Sequence, residues 1–294
     1  MSDPTLDVVI VSYECRELLR DCLQSLAEHP PAKTAMTIHV VDNASTDGTA
    51  DMVRAQFAGV RLDALPVNAG FSAANNRVLQ RSTASYVLLL NPDTRVTAGA
   101  LDHMLTVMAD HPDAGMAGCR LVLPDGSFDH AAKRSFPTPL SALAHFTGIG
   151  RLPIASGRLA QYRAPELGER DRGEVEAING AFMLVRSAAI ADVGLLDEGY
   201  WLYMEDLDWC WRFAQRGWRV LYDGSVDVVH VKGGTAGAHR AARQNVAFHR
   251  GMGRFYRKVH GNGRSLAAIA VYLGIGAKLA VSLVRSATAR RRRA

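Results

Sequence analysis

Tyr86–Leu90 followed by Asn91-Pro92-Asp93-Thr94 places a carboxylate at the end of an unbroken apolar run. Such a run predicts a strand buried on both faces, as in the middle of a parallel sheet. Pro92 ends the pairing because it has no N–H to donate. Open α/β sheets bind ligands beyond the carboxyl ends of their strands. Asp93, with Asn91 beside it, therefore has the chemistry to hold a divalent cation against a diphosphate through hard oxygen ligands. Asn-Pro-Asp is also good turn chemistry, so the assignment depends on partners elsewhere in the chain.

Four further groups are candidates for those partners. Ser12-Tyr13-Glu14 and Asp42-Asn43 close two apolar runs that should be neighbours in a sheet. A carboxylate there can accept the N–H of a pyrimidine while an aromatic ring stacks on the base. Asp42 is the candidate for that contact, and a helix-capping loop residue is its competing role. In Asn68-Ala69-Gly70-Phe71 a glycine before a helix lets backbone N–H groups approach a phosphate or ribose, although plain turn geometry asks for the same residue. Glu205, Asp206 and Asp208 gather at a predicted helix start beside Trp201, Tyr203, Trp209 and Trp211. The helix dipole favours negative charge there. Asp208 and Arg212, four apart, can pair, which leaves Asp206 to point elsewhere as a free general base. His230 ends the apolar run Val228–Val231 and can complete the cation shell with Asp93.

The elements that must position these groups alternate. Strands are predicted at Asp7–Ser12, Met36–Val41, Val60–Leu65 and Tyr86–Leu90, with helices at Glu14–Ala27, from Ser45 through Phe57, from Gly70 to about Arg81, and at Ala98–Asp110. That spacing argues for βαβ units and a mostly parallel, doubly wound sheet. A strand at Gly115–Leu123 leads into a hairpin signal, Pro124-Asp125-Gly126. Lys133–Arg172 carries four prolines and weak periodicity, an excursion suited to shaping a second-substrate pocket. Val175–Val185 is a strand broken at Asn179-Gly180. Helices at Ser187–Val193 and Glu205–Arg216 and strands at Arg219–Tyr222 and Asp227–Val231 complete the body.

Composition excludes disordered and collagen-like classes: of 294 residues, 48% are hydrophobic and 21% charged. The four cysteines form no CxxC pair, which fits a reducing compartment, and no signal peptide is expected. Charge is divided unevenly. Val228–Ala294 holds 14 Lys and Arg and no Asp or Glu, whereas the first 227 residues carry 20 basic against 29 acidic side chains. An acidic body with a basic tail calls for an anionic partner at the tail.

Taken together, these residues resemble the family 2 glycosyltransferases of the GT-A fold. The resemblance covers roughly Asp7–Lys232 and rests on VVIVSYE, VVDNASTDGT, NAGFSAANN, LLLNPD, NGAFMLVR, EDLDWCWR and the strand-end histidine. It implies an α/β domain over 1–235 with a mostly parallel, Rossmann-like central sheet flanked by helices. Asn91 stands where the family's metal motif has its first Asp, so Asp93 becomes the principal carboxylate ligand of Mg²⁺ or Mn²⁺, with His230. Asp206 falls on the family's base position. The donor nucleotide is expected against Ser12, Tyr13, Glu14, Asp42, Asn43, Asn68, Gly70 and Asn91. The acceptor or sugar is expected against Asn179, Gly180, Glu205, Asp208, Trp209 and Arg212. The NPD form and the block around EDLDWCWR look most like bacterial rhamnosyltransferases. Those add L-rhamnose to a polyprenyl-diphosphate-linked N-acetylglucosamine, which implies dTDP-L-rhamnose as donor. A UDP- or GDP-hexose donor and a catalytically silent sugar-nucleotide-binding scaffold are the alternatives.

Residues 236–294 are expected as a basic helical extension. Ala241–His260 carries Arg243, Arg250, Arg254, Arg257 and Lys258 among apolar residues. Ser265–Val284 could just span a bilayer, but Lys278 near its centre costs roughly 2.5–3.5 kcal/mol on insertion scales. A helix lying in the membrane interface, at the cytoplasmic face and peripheral, is the preferred expectation, with arginines on anionic lipid. A helix used for dimerisation, giving a homo-oligomer, or for domain packing, with a solvated tail, is the competing one. Nucleic acid is not expected, because the aromatics sit in the acidic body.

Overall fold

The computed structural model describes residues 4–137, 166–231, 242–261 and 265–291. Its first half follows the alternating pattern: β1 (Thr5–Ser12), α1 (Arg16–Glu28), β2 (Ala35–Asp42), α2 (Thr49–Gln56), β3 (Arg61–Ala64), α3 (Phe71–Leu79) and β4 (Tyr86–Leu90). These strands pair in parallel in the order β3-β2-β1-β4. Their carboxyl ends share one rim, with Ser12 directly opposite Asp42. β4 is buried along its whole length, as a strand covered on both faces must be.

The second half turns the sheet mixed. It runs β5 (Thr94–Val96), α4 (Ala100–Asp110), β6 (Ala114–Val122), β7 (Lys133–Arg134), β8 (Arg172–Glu174), β9 (Ala177–Ile178), β10 (Phe182–Arg186), α5 (Ser187–Val193), α6 (Glu205–Gln215) and β11 (Arg219–His230). β10 lies antiparallel between β4 and β6, and β11 runs parallel to β6. The two strands expected at 219–222 and 227–231 are one, with its register shifted between Asp223 and Asp227. The expected hairpin forms: Leu123 N–H donates to Ser127 O at 2.8 Å, and Val122 bridges Phe128. Asn179-Gly180 does interrupt the strand signal, separating β9 from β10. Most of the proline-bearing excursion lies outside the described residues; its described ends form β7 and β8.

β5 is the element the sequence pattern did not announce. Its three residues, directly after Asp93, pair antiparallel with the end of β11, Thr94 opposite His230 and Val96 opposite Val228. Val231 N–H then donates to Asp93 O at 2.8 Å.

Two further helices close the chain, α7 (Ala242–His260) and α8 (Leu266–Arg291). The boundary expected at 235/236 lies outside the described residues. α7 is not a solvated basic rod. Phe255 is buried in the main core, and two of the cations near its C-terminal end reach carboxylates of the body. Arg254 pairs with Asp197 at 2.8 Å, and Lys258 reaches Asp197 at 3.0 Å and Asp208 at 2.6 Å. Asp208 has no solvent exposure, so a cation arriving from α7 offsets a desolvation penalty that an isolated carboxylate could not sustain. α8 packs on α7 through Ala268, Val271 and Ile275 against Tyr256.

Burial alone would push the Asp197 carboxyl up, but Arg254 and Lys258 outweigh it and hold it at about 2. A carboxyl whose folded-state value is depressed stabilises the fold above its unfolded value of roughly 3.9, and that contribution fades as pH falls further. The melting temperature of wild type should therefore exceed that of Asp197→Asn at pH 6, and the gap should close between pH 4 and pH 2. Thermal denaturation across that series checks it; a pH-independent gap would remove Asp197 from this role.

Candidate functional site

Asp93 and His230 meet at the rim of the sheet. The β5–β11 register brings His230 Nε2 to 3.5 Å from Asp93 Oδ1, and both side chains are nearly excluded from solvent. The other ring nitrogen of His230, Nδ1, lies 3.1 Å from Asp129 Oδ2. Burial disfavours the charged imidazole, but the carboxylates of Asp129 and Asp93 outweigh that and raise it to about 9. Asp93 Oδ1 has no hydrogen-bond partner among the described residues. A buried carboxylate oxygen left open beside an imidazole, whose far side is held by a second carboxylate, suits a divalent cation. No further His, Cys, Asp or Glu completes a ready-made cage among the described residues. Two protein ligands with the remaining positions left to substrate phosphates and water is the usual arrangement for Mg²⁺.

Asp206, in the first turn of α6, is not free as expected. Its Oδ2 accepts from Arg134 Nη2 and, at 3.2 Å, from Gly180 N–H, while Oδ1 accepts from Leu207 N–H at 2.8 Å. The Asn179–Ala181 turn that holds it also holds the strand end, since Asn91 N–H donates to Ala181 O at 3.0 Å. Asn179 itself caps that turn, its Oδ1 accepting from Ala181 N–H at 2.8 Å. Glu205 beside it is buried with Oε2 unpaired, and burial first, then the charge of Asp206, raises its carboxyl to about 8. The chain enters α6 under strain: Tyr203 and Met204 have φ of 70° and 74°. The two other non-glycine residues at positive φ among the described residues are Glu14 and Ala44, in the loops after β1 and β2. Each such conformation costs on the order of 1–3 kcal/mol, and such residues concentrate at functional sites.

Three residues expected at the acceptor prove to support α6 from beneath. Trp209 is wholly buried, donates to Gly194 O at 2.9 Å and packs edge-on against Phe213. Asp208 accepts from Tyr200 Oη at 3.1 Å and from Arg212 at 2.9 Å, besides Lys258. Arg212 also donates to Val193 O and Leu195 O. The expected Asp208–Arg212 pair forms, but both partners face the protein.

The donor-side residues divide in the same way. Tyr13 is 46% exposed at the rim, free for a base to stack on. Glu14 Oε1 accepts from both the N–H and the hydroxyl of Thr46, at 2.8 and 3.0 Å, fastening the two loops together. Ser12 is fully buried, its hydroxyl 3.3 Å from Cys15 Sγ. Asp42 is buried, which raises its carboxyl, and it turns back on its own loop to accept from the hydroxyl and N–H of Ser45. Asn43 links the loops after β2 and β3 through Ala69 N–H and Gly70 O. Gly70 is required for a different reason from the one expected. Its φ is 91°, and a Cβ there would come within 2.5 Å of Trp201 O and its ring. Its N–H is taken by Asn68 Oδ1, and that of Phe71 by Trp201 O at 2.7 Å, so these amides do not point at a phosphate. Trp201 is covered in turn by the guanidinium of Arg243 from α7, 4.1 Å from the ring centroid.

Sequence reasoning missed Asp129 and Arg134. Both lie on the short connection after the 124–126 hairpin, where periodicity carries no signal, and only their partners reveal them.

Comparison with known proteins adds a family and a fold. The family model described as glycosyl transferase family 2 matches residues 7–167. The chain is 30% identical over 251 residues to the N-acetylglucosaminyl-diphospho-decaprenol L-rhamnosyltransferase of Mycobacterium tuberculosis, covering 81% of this chain and 79% of that one. Among solved structures, a Pyrobaculum calidifontis mannosyltransferase in complex with GDP-Man and Mn²⁺ superposes with a TM-score of 0.59 at 18% identity, covering 98% of this chain and 74% of the other. GalNAc-T7 with UDP, GalNAc and Mn²⁺ gives 0.58 at 15% identity over 78% of this chain, which spans only 44% of that protein. At these identities the solved structures speak to fold alone.

If Asp129 orients His230 toward a cation, Asp129→Asn should weaken Mn²⁺ affinity about 10- to 100-fold, the usual cost of losing an outer-shell partner. Titration calorimetry or the paramagnetic resonance of free Mn²⁺, run with nucleoside diphosphate present, reads this directly. Unchanged affinity would sink the assignment.

Proposed function

The chain belongs to glycosyl transferase family 2, and from that premise we propose that it is an inverting transferase of L-rhamnose. The donor is dTDP-L-rhamnose and the acceptor a polyprenyl-diphosphate-linked N-acetylglucosamine, in cell-wall or polysaccharide assembly. The observation that carries the chemistry is the open Asp93 Oδ1 beside His230 Nε2, with Asp206 held by the turn whose Ala181 O accepts from Asn91 N–H. The sugar and acceptor follow the mycobacterial relative, which matches across most of both chains. A second reading keeps the site and changes the donor to a UDP- or GDP-hexose, the nucleotides held by the solved neighbours.

In this mechanism Asp93 and His230 are the residues that would hold Mg²⁺ or Mn²⁺, whose part is to neutralise charge on the departing diphosphate. Tyr13 offers a face to the base, and the Glu14–Thr46 contacts fix the loop that carries it. Asp206 takes the proton from the acceptor hydroxyl. The oxygen lone pair so released forms the new bond to the anomeric carbon as that carbon's bond to the phosphate oxygen breaks. The bonding electrons leave with the nucleoside diphosphate, and the anomeric centre inverts. Burial and the charge of Asp206 raise the Glu205 carboxyl, which favours its protonated form beside that carboxylate.

The same proposal places the protein peripherally on the cytoplasmic membrane face, where a lipid-linked acceptor is presented. α8 supports it. Ala268–Ser286 is long and apolar enough to cross a bilayer, with mean hydropathy 1.6, yet only 17% of it is buried. Ala268, Val271 and Ile275 face α7, whereas Ile269, Tyr272, Leu273, Gly276, Ala277, Ala280, Val281 and Val284 form one exposed stripe at helical spacing. That stripe carries no charge. Lys278 interrupts the segment as a spanning helix, so the proposal lays α8 in the interface.

Three measurements test this. Donor-dependent thermal shifts with and without Mg²⁺ or Mn²⁺, over a panel that includes dTDP-L-rhamnose, should single out that donor. Asp206→Asn should keep its shift and lose on the order of 10²–10⁴ in transfer rate; wild-type turnover would exclude Asp206 as base. In co-sedimentation with phosphatidylglycerol-containing vesicles, Leu273→Glu/Val281→Glu should release a protein that wild type retains. Equal sedimentation of the two would argue against α8 as the docking element.

A further inference from the structure

Asp206 is restrained from three directions. Gly180 N–H comes from the turn between β9 and β10, Leu207 N–H from its own helix, and Arg134 Nη2 from β7. An ionised carboxylate offers about four lone-pair sites. With three engaged, one remains for an incoming hydroxyl, and its direction is fixed by the other three. Of the three donors, Arg134 alone brings a charge and a side chain that can be replaced without altering the backbone. It is seated firmly: β7 pairs antiparallel with β9, Arg134 opposite Ala177, and Arg134 Nη2 also donates to Ile178 O at 2.7 Å. The side chains of Arg134 and Asp206 are only 11% and 13% exposed, so water screens their attraction little.

The connection that ends in Arg134 begins with Asp129, which holds His230. Between them Ala132 N–H donates to Asp129 O at 2.9 Å and Asn179 N–H to Ala132 O at 3.3 Å. One stretch of six residues thus touches both the cation-side imidazole and the carboxylate on α6.

We propose that Arg134 is a positioning residue for the transfer reaction, holding the Asp206 carboxylate in the orientation that receives the acceptor proton. This rests on the assignment of Asp206 as base. Arg134 acts on the chemical step through Asp206 and has no part in holding the donor.

The test compares full-length wild type, Arg134→Met, Arg134→Lys and Asp206→Asn in transfer from dTDP-L-rhamnose to a short-chain polyprenyl-diphosphate N-acetylglucosamine, with melting temperatures taken alongside. Arg134→Met should lower kcat about 10- to 100-fold, the scale set by a misplaced catalytic group, with donor KM unchanged. Arg134→Lys, which keeps the charge, should recover much of the loss. A kcat unchanged in Arg134→Met overturns the inference even where Asp206→Asn is inactive, and an equal loss in Met and Lys variants marks Arg134 as structural and overturns it too. An active Asp206→Asn brings down the base assignment itself, and the inference with it. Carbodiimide labelling of Asp206, read by mass spectrometry, needs no substrate: labelling should rise in Arg134→Met, and equal labelling overturns the inference whatever the donor.

Discussion

The antiparallel pairing of Thr94–Val96 with Val228–His230 is the constraint on which the site depends. Asp93 and His230 are far apart in sequence, and neither is drawn to the rim by its own chemistry. The carboxylate is placed because Pro92 cannot continue β4 and the chain turns at once into β5. The imidazole is placed because the last three residues of β11 pair with β5 on one edge while two of them, Val228 and Val229, still pair with β6 on the other. Backbone hydrogen bonds thus impose a proximity between side chains that pay for it in desolvation. A slip of one residue in that register would turn His230 to the opposite face of the sheet.

A second set of charges ties the carboxylates of the α6 region to α7. Asp197, Asp208, Arg212, Arg254 and Lys258 form one network, with Tyr200 enclosed by it. Among the described residues, its members pair with none of Asp93, His230 and Asp206. They let a helix carrying Glu205, Asp206 and Asp208 in its first turn pack into the body of the protein. The acidic body and basic tail are therefore partly complements of each other, and the charge asymmetry of the sequence is answered in part within the molecule. Arg243 adds a contact of another kind, lying over Trp201, whose backbone in turn fixes the start of α3 at Gly70.

Most of the framework was legible because it rests on local patterns. The run at Tyr86–Leu90, the break at Asn179-Gly180 and the helix at Ser187–Val193 follow from burial, turn chemistry and periodicity, and the structure has each of them. β5 was not legible: three residues give no period, and only a long-range partner makes them a strand. Trp209 was misjudged because an aromatic among carboxylates fits a pocket or a core equally well, and only packing decides between them. Gly70 was recognised as special for the wrong reason. Its positive φ was foreseeable in a turn, whereas the approach of Trp201 across more than a hundred residues was not. Asp129 and Arg134 carried no signal, since a charged residue in a loop acquires meaning only from what it faces.

The inward placement of Lys258 bears on how the polypeptide matures as it leaves the ribosome. Asp208 is sealed from water in the finished molecule, and one of its cations lies 50 positions nearer the C-terminus. Until that stretch has been synthesised and released from the exit tunnel, Asp208 can pair with Arg212 but lacks its second cation. The α6 region, Asp206 included, therefore gains this charge partner only once α7 is in place.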